Sequence, residues 1–193
     1  MPSPVAEILA ALRDALERIG MRWYLFGAQA ALLYGAARLT ADVDITVELG
    51  SRTTAELVRA LEESGFALRI EHDVDAFVAQ TRVLPFAHVS SAMAVDVVLA
   101  GPGLEELFLD HLELHDIEGT KVPVASAEDL VAMKILAGRP KDLGDVAAII
   151  ATQKDFDVER ARQTLRLVEQ ALDQSDLVPE LDKIVDRHRP RKR

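Results

Sequence analysis

Apolar residues recur along the chain with two periods, and the switches between them mark out elements. Val5, Ile8, Leu9, Leu12, Leu16 and Ile19 share one helical face. Ser3 can cap this segment, Pro4 suits its first turn and Gly20 ends it, so the spacing predicts a helix over 4–19. The run Arg22-Trp23-Tyr24-Leu25-Phe26 reads as a short strand that stops at Gly27, followed by a brief helix from Ala28 to Tyr34 and a closing Gly35. Residues 43–48 (VDITVE) alternate apolar and polar, as a half-buried strand does. Helical spacing returns over 53–64 (TTAELVRALEES), ahead of Gly65. The less regular stretch 66–90 predicts two strands, near Phe66–Ile70 and Phe86–Ser90. A strong strand follows at 94–99 (AVDVVL), stopped by Gly101-Pro102-Gly103, and 112–124 fits a hairpin turning at Glu118-Gly119.

From Ser126 onward the pattern is helical. Ser126 and Asp129 have capping-box spacing, with Asp in the usual place of Glu. That helix runs to about Ala137, Gly138 and Pro140 break it, and further helices are expected over about 141–152, 157–173 and 176–187. The predicted class is α/β (α+β): a core with a small mixed sheet over 1–125 and a helical C-terminal part over 126–193.

Composition narrows the function. A chain of 193 residues that is 49% hydrophobic and 28% charged can build a full core. The absence of cysteine excludes a disulfide scaffold, thiolate catalysis and cysteine-ligated zinc, and suits a cytoplasmic setting. Charges interrupt the apolar pattern of residues 1–20, so neither a signal peptide nor a membrane span is expected. The net charge of -10 excludes a uniformly basic nucleic-acid binder. Residues 187–193 (RHRPRKR) nevertheless carry five Lys/Arg and no acid, which leaves a net of -15 on residues 1–186. An acidic body with a basic tail can still meet a polyanion locally.

Three aspartates stand out by position. Asp42 and Asp44 open a strand two residues apart, which puts both on one face with Cα atoms roughly 6.5–7 Å apart. Asp96 interrupts an apolar strand, beside Val95, Val97 and Val98. Two carboxylates about 7 Å apart repel by roughly 2.4 kcal/mol at an effective dielectric near 20, and a third raises that cost. Divalent cations reverse the sign, and hard oxygen ligands suit Mg²⁺ or Mn²⁺. A lone D-x-D also fits a bland arrangement, with Asp42 capping the strand, Asp44 in solvent and Asp96 paired with a buried base. Gly27, at a strand–helix turn, could let backbone N–H groups receive a phosphate, and Lys134, with Arg139 and Lys141 in support, could reach a triphosphate. His111 and His115 lie four apart without an HExxH pattern, and the chain has no GxGxxG, Walker-type loop or GxSxG turn. The nine aromatics form no base-stacking stripe, and Trp23 and Tyr24 are expected in the core.

The segment FGAQAALLYGAARLTADVDITVEL resembles the nucleotidyltransferase superfamily typified by DNA polymerase beta. That family pairs a glycine turn with a D-h-D strand after a spacer; here Gly27-Ala28 is followed by 13 residues and then Asp42-Val43-Asp44-Ile45. Arg38-x-Thr40-x-Asp42-x-Asp44 and KILAGRPKDLGDVAAI (134–149) resemble the AbiEii-type toxin branch more narrowly. The resemblance implies that Asp42, Asp44 and Asp96 hold the metals, with Asp96 also orienting or deprotonating an acceptor hydroxyl. It implies that Gly27 and Ala28 admit the NTP triphosphate, that Arg38 and Thr40 border its path, that Lys134 contacts it and that Asp145 orients local bases. Ala28 departs from the pattern, since the family often has a serine whose hydroxyl touches phosphate; Gln29 is a candidate to compensate.

The implied activity is transfer of NMP from NTP to an acceptor hydroxyl, with NTP as substrate and a cognate antitoxin as protein partner. A tRNA or other RNA 3′ end fits the toxin resemblance and the basic tail, whereas an aminoglycoside-type small molecule fits the acidic body. The third reading is a non-catalytic nucleotide- or partner-binding module of a toxin–antitoxin pair.

Overall fold

The computed structural model describes residues 2–37, 40–71 and 73–188. Among them the elements run α1 (Pro4–Arg18), β1 (Arg22–Phe26), α2 (Gly27–Leu33), β2 (Asp42–Glu48), α3 (Thr54–Glu62), β3 (Phe66–Leu68), α4 (Val74–Thr81), β4 (Val83–His88), β5 (Ala94–Leu99), α5 (Leu104–Leu109), β6 (Glu113–Ile117) and β7 (Thr120–Val124). Four helices follow: α6 (Ala127–Ala137), α7 (Pro140–Thr152), α8 (Val158–Leu172) and α9 (Leu177–His188). Contacts group the chain into two compact units, residues 1–29 with 40–125, and residues 30–39 with 126–193. Residues 30–37 are grouped with the C-terminal helices in the second unit.

The first unit is built on one mixed sheet of seven strands, ordered β3-β4-β5-β2-β1-β7-β6. β2 lies at its centre, antiparallel to β1 and parallel to β5. The alternation read at 43–48 and 94–99 becomes alternating burial. Val43, Ile45, Val95 and Val97 face the core, while Asp42, Asp44, Ala94 and Asp96 share the opposite, half-exposed face. α1 packs its stripe of Ile8, Leu9, Leu12 and Leu16 beside α3, β1 and β7. Its N-terminus is capped by Ser3, whose side chain accepts from the Ala6 N–H. α3 carries a full capping box, Thr53 with Glu56.

Two elements were not anticipated, and one strand is shifted. α4 buries no residue, so it shows no apolar stripe to read. α5 spans six residues just behind the Gly101-Pro102-Gly103 break. β4 begins at Val83 and passes through Pro85. The Arg69 N–H donates to the Pro85 carbonyl at 2.8 Å, but Pro85 has no N–H to return the bond, and regular pairing with β3 ends there.

In the second unit α6 is surrounded by α7, α8 and α9 and is buried almost all round, charged residues included. Buried charges need partners, and both ends of α6 have them. At its start, Arg160 donates to Ser126 (2.8 Å) and Asp129 (2.9 Å) and pairs with Glu128. At its end, Lys134 is only 5% exposed, with its Nζ 2.6 Å from Asp145 and 3.5 Å from Asp142. Arg139 completes this cluster through Asp142. Gly35 packs its bare Cα against Thr152 of α7, where an added Cβ would lie 2.6 Å from the threonine methyl.

Burial pushes the Asp142 carboxyl up, but the hydrogen bond from Arg139 and the charges of Lys134 and Arg139 outweigh it and hold the group below the ordinary carboxylate range. A depressed folded pKa adds stability that is fully present above the unfolded value near 4 and is lost as pH falls through the folded value. Urea unfolding followed from about pH 6 down to about pH 2 should therefore show a shallower acid loss in Asp142→Asn than in wild type. Superimposable acid limbs would remove Asp142 from the account.

Candidate functional site

The sheet register brings the sequence-predicted aspartates together. β2 and β5 run parallel with Asp42 opposite Ala94 and Asp44 opposite Asp96. Residues so paired on neighbouring strands point to the same face about 4.8 Å apart. Asp42, Asp44 and Asp96 therefore share one patch of the half-exposed face, supplied by two strands far apart in sequence.

Gly27 belongs to the same patch. β1 and β2 pair Phe26 with Asp44, so the turn after β1 lies directly beside the carboxylate. A Cβ on Gly27 would stand 2.7 Å from Asp44 Cγ and 2.8 Å from its Cβ, and Gly27 also has φ +71°. Only glycine meets both demands, the left-handed backbone and the room for Asp44. The turn and the D-x-D strand are thus one packed unit. Ala28 is buried with its methyl group in the core, while Gln29 is half-buried.

The other predicted residues fall into three groups. Thr40 donates its hydroxyl to the Asp42 carboxylate. Lys134 and Asp145 lie in the second unit, bonded to each other as described. Arg38 lies outside the described residues.

One residue was missed. Arg69 donates from its guanidinium to Asp96 at 2.9 Å, with the two side chains 45% and 38% exposed. Arg69, just past the end of β3, bonds Pro85, Pro85 lies opposite Asp96, and Asp96 opposite Asp44, so a single row runs from Arg69 across β4, β5 and β2. Asp96 has a basic partner, then, but at the rim and not in the core. Only the register reveals it, because 27 residues separate the pair.

By residue type the donor set suits a divalent ion, with carboxylate oxygens on one face and a cradle at Gly27 that any Cβ would fill. Among the described residues, nevertheless, no group of three or more His, Cys, Asp or Glu is arranged to hold a metal ion, and Asp96 and Asp42 instead accept from Arg69 and Thr40.

Residues 10–192 match the family described as Nucleotidyl transferase AbiEii toxin, Type IV TA system. The chain belongs to the AbiEii nucleotidyltransferase family. A probable transcriptional regulatory protein of Hahella chejuensis (strain KCTC 2396) is 26% identical over 147 residues, 75% of this chain. The match spans 57% of that relative's length. An antigenic nucleotidyltransferase-like protein from Paracoccidioides brasiliensis superimposes with a TM-score of 0.55 at 17% identity, over 94% of each chain. A lincosamide antibiotic adenylyltransferase, LnuA, solved with lincomycin bound, gives a TM-score of 0.54 at 14% identity, over 79% of this chain and 99% of its own. These likenesses establish a nucleotidyltransferase-like fold for this AbiEii family member. No helix among the described residues is long and apolar enough to cross a membrane.

The Gly27–Asp44 packing can be measured directly. Gly27→Ala should lose about 2–4 kcal/mol of stability, part from the left-handed backbone and part from the clash. In an Asp44→Gly background only the backbone share should remain, so a double-mutant cycle by urea unfolding should give a coupling of at least about 1 kcal/mol. Strict additivity would mean that Asp44 does not fill the space beside Gly27.

Proposed function

We propose that this AbiEii family member is a metal-dependent nucleotidyltransferase that moves NMP from NTP to an acceptor hydroxyl. The observation that carries this reading is the register of β2 and β5, with Asp44 opposite Asp96, Asp42 on the same face and Gly27 packed against Asp44. In the reaction a bond forms between the acceptor oxygen and the α-phosphorus. The bond from that phosphorus to the bridging oxygen of the β-phosphate breaks, pyrophosphate leaves, and the acceptor's proton passes to a base.

Asp42, Asp44 and Asp96 would hold Mg²⁺ or Mn²⁺, which when bound supplies charge neutralisation at the phosphates and the attacking oxygen. The chain's own groups do the positioning. Asp96, at the accessible end of the patch, is assigned the acceptor hydroxyl and its proton. Gly27 allows close backbone approach to the triphosphate, and Thr40 orients Asp42. Family resemblance, and not a distance, assigns Lys134 and Arg38 to phosphate.

An RNA 3′ end is the proposed acceptor, with a cognate antitoxin as the regulating partner, in line with the toxin–antitoxin family. The net charge of -10 favours a second reading, a polycationic small-molecule acceptor drawn to an acidic surface.

Incubation with labelled NTPs, Mg²⁺ and either total RNA or an aminoglycoside panel separates the two acceptors. Asp44→Asn should lower transfer by roughly 100-fold or more with whichever acceptor is labelled. Equal labelling by wild type and variant would overturn the role of Asp44. If RNA is the acceptor, removing residues 187–193 should weaken RNA binding and flatten its salt dependence.

A further inference from the structure

We propose that Arg69 is a positioning residue that competes with the divalent cation for Asp96, and so sets how readily the site loads metal. The proposal rests on the metal-dependent reading above. Its ground is the row across the sheet. Arg69 reaches over Pro85, whose side chain offers no polar group, to bond Asp96 at 2.9 Å. On the other side of Asp96 stands Asp44, directly in register. Asp96 thus sits between a fixed cation and the carboxylate with which it would share a metal.

A carboxylate oxygen that accepts from a guanidinium is drawn away from a metal, and the guanidinium's charge repels the incoming ion. Metal entry at that oxygen therefore requires Asp96 to exchange Arg69 for the ion, and entry at the other oxygen meets the guanidinium's repulsion. In the absence of metal, the same pair relieves the repulsion between Asp96 and Asp44. Arg69 keeps the acidic patch compact while making loading harder. Because both side chains are partly exposed, water and salt screen the pair, and the effect on metal affinity is bounded at about three- to tenfold.

The test is Mn²⁺ binding to the full chain without nucleotide, followed by electron paramagnetic resonance at low ionic strength. Four proteins are compared: wild type, Arg69→Gln, Arg69→Lys and Asp44→Asn. Arg69 is exposed, so replacing it leaves the core untouched. The expected result is Mn²⁺ affinity about three- to tenfold tighter in Arg69→Gln, close to wild type in Arg69→Lys, and lost in Asp44→Asn. A merely structural arginine would leave affinity unchanged or weaken it on removal. Unchanged or weaker binding by Arg69→Gln, or equal tightening by the lysine variant, overturns the proposal while the metal site stands. Wild type and Asp44→Asn behaving alike, whether both bind or neither does, overturns the metal site and the proposal with it.

Discussion

Parallel pairing of β2 with β5 sets two like charges side by side on the open face of the sheet. Asp44 and Asp96 cannot slip apart, because a one-residue shift would turn Val43, Ile45, Val95 and Val97 out of the core. The apolar face thus fixes the position of the polar one. Repulsion between the two carboxylates is tolerated because burial on the far side outweighs it: four fully buried branched residues contribute about 1.5–3 kcal/mol each. Gly27 adds a second restraint on Asp44 by steric fit alone.

The charges in the second unit follow the opposite rule. Around α6 each buried charge is met by an opposite one: Arg160 at Glu128 and Asp129, Lys134 at Asp145 and Asp142. Breaking one partner of such a set is costlier than never having built it, because a buried charge is left alone. The pairs on the sheet, Arg69 with Asp96 and Thr40 with Asp42, are instead only partly buried.

Much of this was legible in the sequence, where burial leaves a period. α1, α3 and α7 to α9 show apolar stripes, α6 is bounded by its Ser126 cap and Gly138, and β2 and β5 alternate, so they could be read within a residue or two. α4 could not, because it has no buried face. The start of β4 was misplaced because Pro85 reads as a strand boundary, whereas here it sits inside a strand and ends the pairing with β3 instead. Residue types and spacing flagged Gly27, Asp42, Asp44 and Asp96. They could not show that Gly27 is required by the bulk of Asp44, nor that Arg69 reaches Asp96. Both facts depend on which strands are neighbours and in what register, and no local pattern encodes that.

Lys134 is the buried base of the helical unit's second cluster. An ammonium has three N–H donors, and the buried cluster engages it through Asp145 and, more distantly, Asp142. The 2.6 Å contact with Asp145 holds the ammonium in place within the folded unit. Burial of Lys134 therefore depends on its paired carboxylates, and removing either one would leave a buried charge short of a partner.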